Sequence, residues 1–305
     1  MKRTIFITGL VIVSLTSCLK DDNEKKRNNA LAEFETYITQ LKDSGVDIKE
    51  TDNGVFYELK KSPMGEPPES GDMIEAEITS RVIGKNIYFT TSLDTAEKYD
   101  IVDEDYAYRP YRFFFRYGFT FGFHDALSEM GDSAELNIYV PTDLGYDFVD
   151  YSPAIPAFSN LSYNVKVLNV IPEPDDFERN NMQEYLLAND IAFDDTTEYG
   201  IYFEWIETSD GDTVKIGDNV VTKYKGYFLD GQVFDEKTGN NTFDFAVGTQ
   251  SIIYGYNAGV LEMTEGSKAK FIVPYQYGYG ADGRSNPYFP PYTTIIFEVE
   301  LVDIK

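Results

Sequence analysis

Hydrophobic and polar positions along the chain trace the same series of elements twice. Near the start, Leu31, Phe34, Ile38 and Leu41 recur at three- and four-residue spacing, which predicts an amphipathic helix stopped by Gly45. Beyond it, short runs rich in Val, Ile, Tyr and Phe lie between Gly, Pro and Asp punctuation, the signature of strands. The opening "KRNNALAEFETYITQL" from Lys26 returns as "ERNNMQEYLLANDI" from Glu178, "GVFYELK" at Gly54 as "GIYFEWIE" at Gly200, and "SGDMIEAEI" at Gly71 as "IGDNVVTKY" at Gly217. Gly54 and Gly200, like Gly71 and Gly217, stand 146 residues apart. Three echoes in one order indicate two copies of one domain plan. "VIPEPDDFE", with Pro172 and Pro174, interrupts the strand "LSYNVKVLNV" and reads as the link. Each copy is a short helix, several strands, a short embedded helix and a closing strand. The expected fold class is therefore α+β with antiparallel sheets, in domains over 27–171 and 172–305.

The chain of 305 residues suits two cores of this kind. Its formal charge of -26 argues against polyanionic partners, so neither nucleic acid nor an anionic membrane surface is expected as a ligand. Residues 1–18, "MKRTIFITGLVIVSLTSC", combine Lys2-Arg3 with an apolar run from Ile5 to Leu15 that is too short to span a bilayer, the pattern of a secretion leader. Leu15-Thr16-Ser17-Cys18 resembles a bacterial lipobox, which implies lipidation of Cys18. The other reading is a signal peptide with a chance cysteine near its cleavage site. Cys18 is the sole cysteine, so no intramolecular disulfide can form. Residues 19–26 read as a tether, in which Lys20-Asp21-Asp22 resembles the acidic export signals of some surface lipoproteins, or is simply a solvated stretch. The expected location is the outer membrane, on its periplasmic side or at the cell surface, with the lipid as the only membrane contact.

The second copy carries an ordered set of motifs: "VVTKYKGYFLDGQVFDE", with Asp230-Gly231 as a hairpin turn, then "FDFAVGTQSIIYGYNAGVLEM", "GSKAKFIVP" and "YGYGADGRSNPYFPPYTTIIFEVEL". Over residues 214–305 this resembles the FKBP-type peptidyl-prolyl cis-trans isomerases. The resemblance implies a twisted antiparallel sheet curled around one short helix, here Tyr256 to Met263, with an apolar pocket between them. It implies that Tyr224, Phe234, Asp235, Phe243, Ile252, Ile253, Tyr256, Tyr279 and Phe297 line the pocket and that Tyr288 and Phe289 overhang it. Tyr279 would donate to the substrate carbonyl, the Ile253 N–H would anchor the neighbouring peptide group, and Asp235 would polarise the pocket and orient Tyr224. Taken singly, Phe243 and Phe297 read equally as strand core, and Asp235 as a turn residue bonded to its own backbone. Many members of the family carry Trp where this chain has Tyr256, whose buried hydroxyl needs a partner.

The first copy keeps the plan but not the chemistry. Ile78 stands where Tyr224 does, "IYFTT" replaces "VFDE" and removes the aspartate, and "YRFFFRYGFTFG" reads as three residues short of its counterpart; Tyr146 and Phe123 remain. His124, the only histidine, reads as a helix residue. Asp100, Asp103 and Asp105 do not match a calcium loop. No metal or cofactor is expected. The leading function is an exported, lipid-anchored prolyl isomerase acting on proline-containing polypeptides through its C-terminal copy. The alternatives are a non-catalytic chaperone or peptide-binding lipoprotein, and a surface glycan-binding protein whose tyrosines stack on sugars.

Overall fold

The computed structural model describes residues 11–103, 106, 108–191 and 196–305, with side chains from residue 22 onward. The leader, Cys18, Lys20 and Asp21 therefore lie outside the described side chains. Two compact units emerge, one of residues 1–102 and 108–172, the other of residues 103–107 and 173–305. Among the described residues no helix is long and apolar enough to cross a membrane.

The first unit opens with helix α1 (Val11–Asp43), followed by β1 (Ile48–Glu50), β2 (Phe56–Lys61), β3 (Met73–Val82), β4 (Ile87–Thr90), α2 (Leu93–Lys98), β5 (Tyr111–Phe114), α3 (Phe121–Leu127), β6 (Glu135–Val140) and β7 (Leu161–Ile171). The segment read as a tether is helical where described, and Lys26 pairs with Asp22 one turn earlier at 2.6 Å. α1 buries Phe34 and Ile38 against Tyr139, with Leu41 at the margin. Burying each such side chain stabilises the contact by about 1.5–3 kcal/mol. Gly45 follows the helix with φ +89°, the left-handed conformation that suits a stop.

The second unit runs α4 (Pro174–Ala188), β8 (Tyr202–Glu207), β9 (Asn219–Phe228), β10 (Val233–Lys237), β11 (Phe243–Ala246), α5 (Tyr254–Leu261), β12 (Lys268–Val273), β13 (Arg284–Ser285), β14 (Tyr288–Phe289) and β15 (Ile295–Ile304). Pro174 opens α4 with Asp175 and Asp176 in its first turn, a favourable start on both backbone and dipole grounds. Met182 and Leu186 pack on Tyr202, Ile272 and Ile296. Nearer its start, buried Glu178 accepts the Thr294 N–H at 2.6 Å, and Asp175 accepts the Tyr275 hydroxyl at 2.8 Å.

Strand order exposes the repeat. In the first unit the sheet is β1-β2-β6-β7-β3-β4 with β5 on β3; in the second it is β10-β9-β15-β12-β8 with β11 on β9. Leaving out β1, the two orders are the same when read from opposite ends, and every pairing is antiparallel. β3, β7 and β15 alternate buried with less buried positions along much of their length, so one sheet face meets the core.

The embedded helix of the second unit is two residues earlier than expected, Tyr254–Leu261 rather than 256–263. It starts there because Gly255 and Gly259 face the sheet. A Cβ would come within 2.2 Å of Val273 at Gly255 and 2.3 Å of Phe271 at Gly259, so only glycine lets α5 lie this close to β12. It ends where the Met263 N–H turns back onto the Val260 carbonyl.

Candidate active site

The concave face of the second sheet and α5 enclose a cavity of about 480 Å³. Tyr224, Phe234, Asp235, Phe243, Ile252, Ile253, Tyr256, Tyr279, Phe289 and Phe297 line it, together with Ser251, Arg284 and Pro287. Tyr288, expected on its rim, is not among these residues and is 4 % exposed. It neighbours Phe289 on the short strand β14, and successive strand side chains point to opposite faces. With Phe289 turned to the cavity, Tyr288 is turned away from it.

Phe234 and Asp235 are also neighbours, yet both line the cavity. The pairing of β10 with β9 explains this: Val233 pairs with Tyr227 and Asp235 with Gly226, leaving Phe234 as the extra residue of a bulge. A bulge re-aims a side chain that regular alternation would send outward. Gly226 completes the arrangement, since a Cβ there would stand 2.5 Å from the Phe234 ring. The hairpin before it is the one expected at Asp230-Gly231, with Gly231 at φ +86°.

At the floor, the Tyr256 ring meets Phe297 edge-on at 5.0 Å and Tyr224 at 5.7 Å. Its hydroxyl lies 3.0 Å from Thr222 Oγ1, and Thr222 donates to the Phe243 carbonyl at 3.2 Å. With the threonine proton so used, Tyr256 is the donor, and the polar group that its smaller ring introduces is satisfied. Burial pushes the Tyr256 phenol up, with the charge of Asp235 adding to the rise. Thr222 sits two residues before Tyr224 on the same strand face, so sequence alternation contained this partner.

On one side the Tyr224 hydroxyl donates to Asp235 Oδ2 at 2.5 Å. Burial, then that bond and the carboxylate's charge, push the Tyr224 phenol up and hold it neutral. Asp235 is thus tied to a side chain on the neighbouring strand, which answers the reading of it as a self-bonded turn residue. At the rim the Tyr279 ring lies on Phe289 at 4.0 Å. Burial raises its phenol, while the Arg284 guanidinium, 5.9 Å from the ring, opposes the rise. Arg284, the only cation in the stretch from 277 to 301, was visible in the sequence on that ground alone.

The Ile253 N–H precedes the first turn of α5, and among the described residues no acceptor takes it. Asn257 shapes the segment that presents it. Its side-chain oxygen accepts the Gly248 N–H at 2.8 Å, and its amide reaches the carbonyls of Thr249 at 3.3 Å and Ile252 at 3.2 Å. Nothing in the local sequence singled out Asn257.

The first unit gathers other side chains at the equivalent positions. Strand pairing sets Ser80 opposite Phe89, as Gly226 lies opposite Asp235, so a phenyl ring takes the place of the carboxylate. Phe119 stacks on Phe123 at 4.3 Å and meets Phe113 at 5.0 Å, while Tyr146 stacks on Tyr151 at 4.2 Å. The segment before the helix spans residues 115–120 here and 247–253 in the second unit, one residue shorter rather than three. His124 sits on α3, its Nδ1 accepting the Arg116 N–H at 3.1 Å, and burial lowers it to about 4. Among the described residues no cluster of His, Cys, Asp and Glu has the arrangement of a metal site.

Comparison with known proteins places this site in context. The sequence profile of the family described as FKBP-type peptidyl-prolyl cis-trans isomerase matches residues 211–302. FK506-binding protein 1A of Emericella nidulans is 39 % identical over 108 residues, covering 35 % of this chain and 99 % of that protein. FK506-binding protein 3 of Dictyostelium discoideum is 41 % identical over 97 residues, which is 31 % of this chain and 50 % of the relative. The isomerase FkpA of Escherichia coli K12 is 33 % identical over 111 residues, which is 36 % of this chain and 40 % of the relative. The chain thus spans half or less of the length of these last two. Among solved structures, the three FKBP domains of wheat FKBP73 align over 85 % of this chain and 99 % of theirs, at 19 % identity and a TM-score of 0.33.

Proposed function

Because this chain belongs to the FKBP-type peptidyl-prolyl cis-trans isomerase family, we propose that it catalyses rotation about X-Pro bonds of polypeptides in the pocket of its second unit. The observation that carries this reading is the 480 Å³ cavity itself, walled by aromatic rings and bearing one phenol donor and one backbone donor at its edge.

The uncatalysed barrier is about 18–20 kcal/mol, and exchange takes tens to hundreds of seconds. An acceleration of about 10⁴- to 10⁵-fold requires about 5–7 kcal/mol. No covalent intermediate is involved. Twisting the imide breaks its resonance, so the carbonyl loses charge separation. Rings that strip water from the proline and its carbonyl then favour the twisted over the planar form. Tyr279 offers its proton to a substrate carbonyl at the rim and so positions the peptide, while the lowering of the barrier comes from the desolvating rings. The Ile253 N–H holds the adjacent peptide group. Asp235 fixes Tyr224, and Phe234, Phe243, Tyr256, Phe289 and Phe297 supply the apolar walls.

The first unit, with Phe89 in the place of Asp235 and Ile78 in that of Tyr224, is read as non-catalytic. The chain is read as exported and held at the outer membrane by lipid on Cys18. The leader and lipobox support this, and Lys20-Asp21-Asp22 supports display at the surface. The activity test is cis/trans exchange of an X-Pro peptide with and without the full-length protein. Rates equal to buffer would move the reading to a non-catalytic peptide-binding protein. The anchor test is membrane partition: Cys18→Ser should leave the chain unacylated, and acylation surviving the change would refute the assignment.

A further inference from the structure

A second apolar hollow backs onto the proline pocket and shares its wall. It encloses about 510 Å³, and its larger apolar lining residues are Tyr199, Ile216, Ile252, Ile253, Tyr254 and Leu261. Ile252 and Ile253 line both spaces. The hollow's outer edges are two large apolar side chains left in water, Ile216 at 76 % exposure and Tyr254 at 53 %. Neither dangles. Ile216 packs so closely on Gly248 that a Cβ there would come within 3.0 Å of it, and the Tyr254 ring lies 5.4 Å from Tyr277. The Asn257 side chain braces the segment 248–253 from within the same hollow. Glu198 and Glu262 adjoin the lining residues Tyr199 and Leu261 in the chain, and both bring negative charge to bear on the Tyr199 phenol.

A shaped apolar hollow, held open by a hydrogen-bonded loop and flanked by carboxylates, has the chemistry to hold an apolar side chain followed by a cation. Its position one wall from the proline site restricts the source. Because Ile252 and Ile253 line both spaces, an extended polypeptide leaving the pocket over this wall meets the hollow within a few residues. We infer that this hollow is a subsite for the same polypeptide that places its proline in the pocket: it receives an apolar side chain a few residues from the proline, with Lys or Arg beyond. This rests on the isomerase reading and narrows it, since the preferred substrate becomes an unfolded segment with an exposed hydrophobic residue rather than an isolated X-Pro turn.

The test uses the full-length protein and two peptides with one X-Pro core. One has four residues; the other has ten and carries Phe three residues from the proline, followed by Lys. The longer peptide should show a kcat/KM about tenfold higher, the return on one buried aromatic side chain. Ile216→Glu, at an exposed position outside the proline pocket, should abolish that gain and leave the short peptide's rate unchanged. Equal rates for both peptides on the unaltered protein would overturn the inference, as would Ile216→Glu slowing both alike. It would also fail if Ile216→Glu dissociated a dimer without altering the preference, which would assign the hollow to a second copy of the chain. Should neither peptide be turned over, the isomerase reading fails by itself. Fluorescence anisotropy of the longer peptide then judges the subsite: equal affinity for the unaltered and Ile216→Glu proteins overturns it.

Discussion

Replacing Gly226 by alanine inserts one methyl group where the pocket wall has no room for it. A Cβ at this position would stand 2.5 Å from Cε2 and Cζ of Phe234 and 3.1 Å from Cε1 of Phe297. Ordinary carbon contacts are about 3.5–4.0 Å, so the Phe234 ring must retreat by about 1 Å. It is held by Phe289 at 4.8 Å, Phe228 at 5.1 Å and Phe297 at 5.6 Å, and the open direction is the cavity. Overpacking of this kind costs about 1–3 kcal/mol. For a unit of this size that lowers its melting temperature by several degrees, about 2–8 °C per kcal/mol at the extremes. A ring displaced by about 1 Å into the space meant for proline should lower kcat/KM by about 10²-fold. Calorimetry on the full-length protein and peptide exchange kinetics measure the two effects. Adding Phe234→Leu should recover the melting temperature, because the shorter side chain clears the methyl. A Gly226→Ala protein with unaltered melting and unaltered kcat/KM would refute the close-approach account of this wall.

Thr222→Val should destabilise the second unit by about 1–3 kcal/mol, because it strands the buried Tyr256 hydroxyl; combined with Tyr256→Phe the loss should be smaller than the sum, and strict additivity in thermal unfolding would refute the Tyr256–Thr222 bond. The phenols of Tyr224, Tyr256 and Tyr279 are all raised, chiefly by burial, so the fold favours their neutral forms. Their stabilisation is fully present below the ordinary tyrosine value of about 10 and is lost only as pH climbs through the raised values. Exchange activity at about pH 10 should therefore match that near neutrality, and a decline centred on about 10 would contradict it.

The strands and most of the pocket were legible because local pattern decided them: alternation placed the sheet faces, Asp230-Gly231 formed the turn, and the ordered motifs of 214–305 named ten residues that do line the cavity. Tyr288 was misplaced because sequence order does not say which face of a two-residue strand meets a cavity. The start of α5 was misjudged because the approach of Gly255 and Gly259 to Val273 and Phe271 is a tertiary fact. Asn257, Ser251 and Pro287 went unnoticed for the same reason, since their roles follow from contacts across a loop. The missing aspartate of the first copy was plain in "IYFTT". That Phe89 takes its place and Phe119 stacks on Phe123 required the register of β3 with β4 and the ring packing.

The central claim is that one pocket, in the second unit, does the isomerisation. The most direct measurement is exchange spectroscopy on an X-Pro peptide with the full-length protein carrying both Asp235→Ala and Tyr279→Phe, circular dichroism verifying the fold. These changes remove the carboxylate that holds Tyr224 and the phenol that meets the carbonyl, and leave the first unit intact. The account predicts that exchange falls close to the rate in buffer. Exchange as fast as with the unaltered protein would contradict it, and would place the catalytic surface elsewhere in the chain.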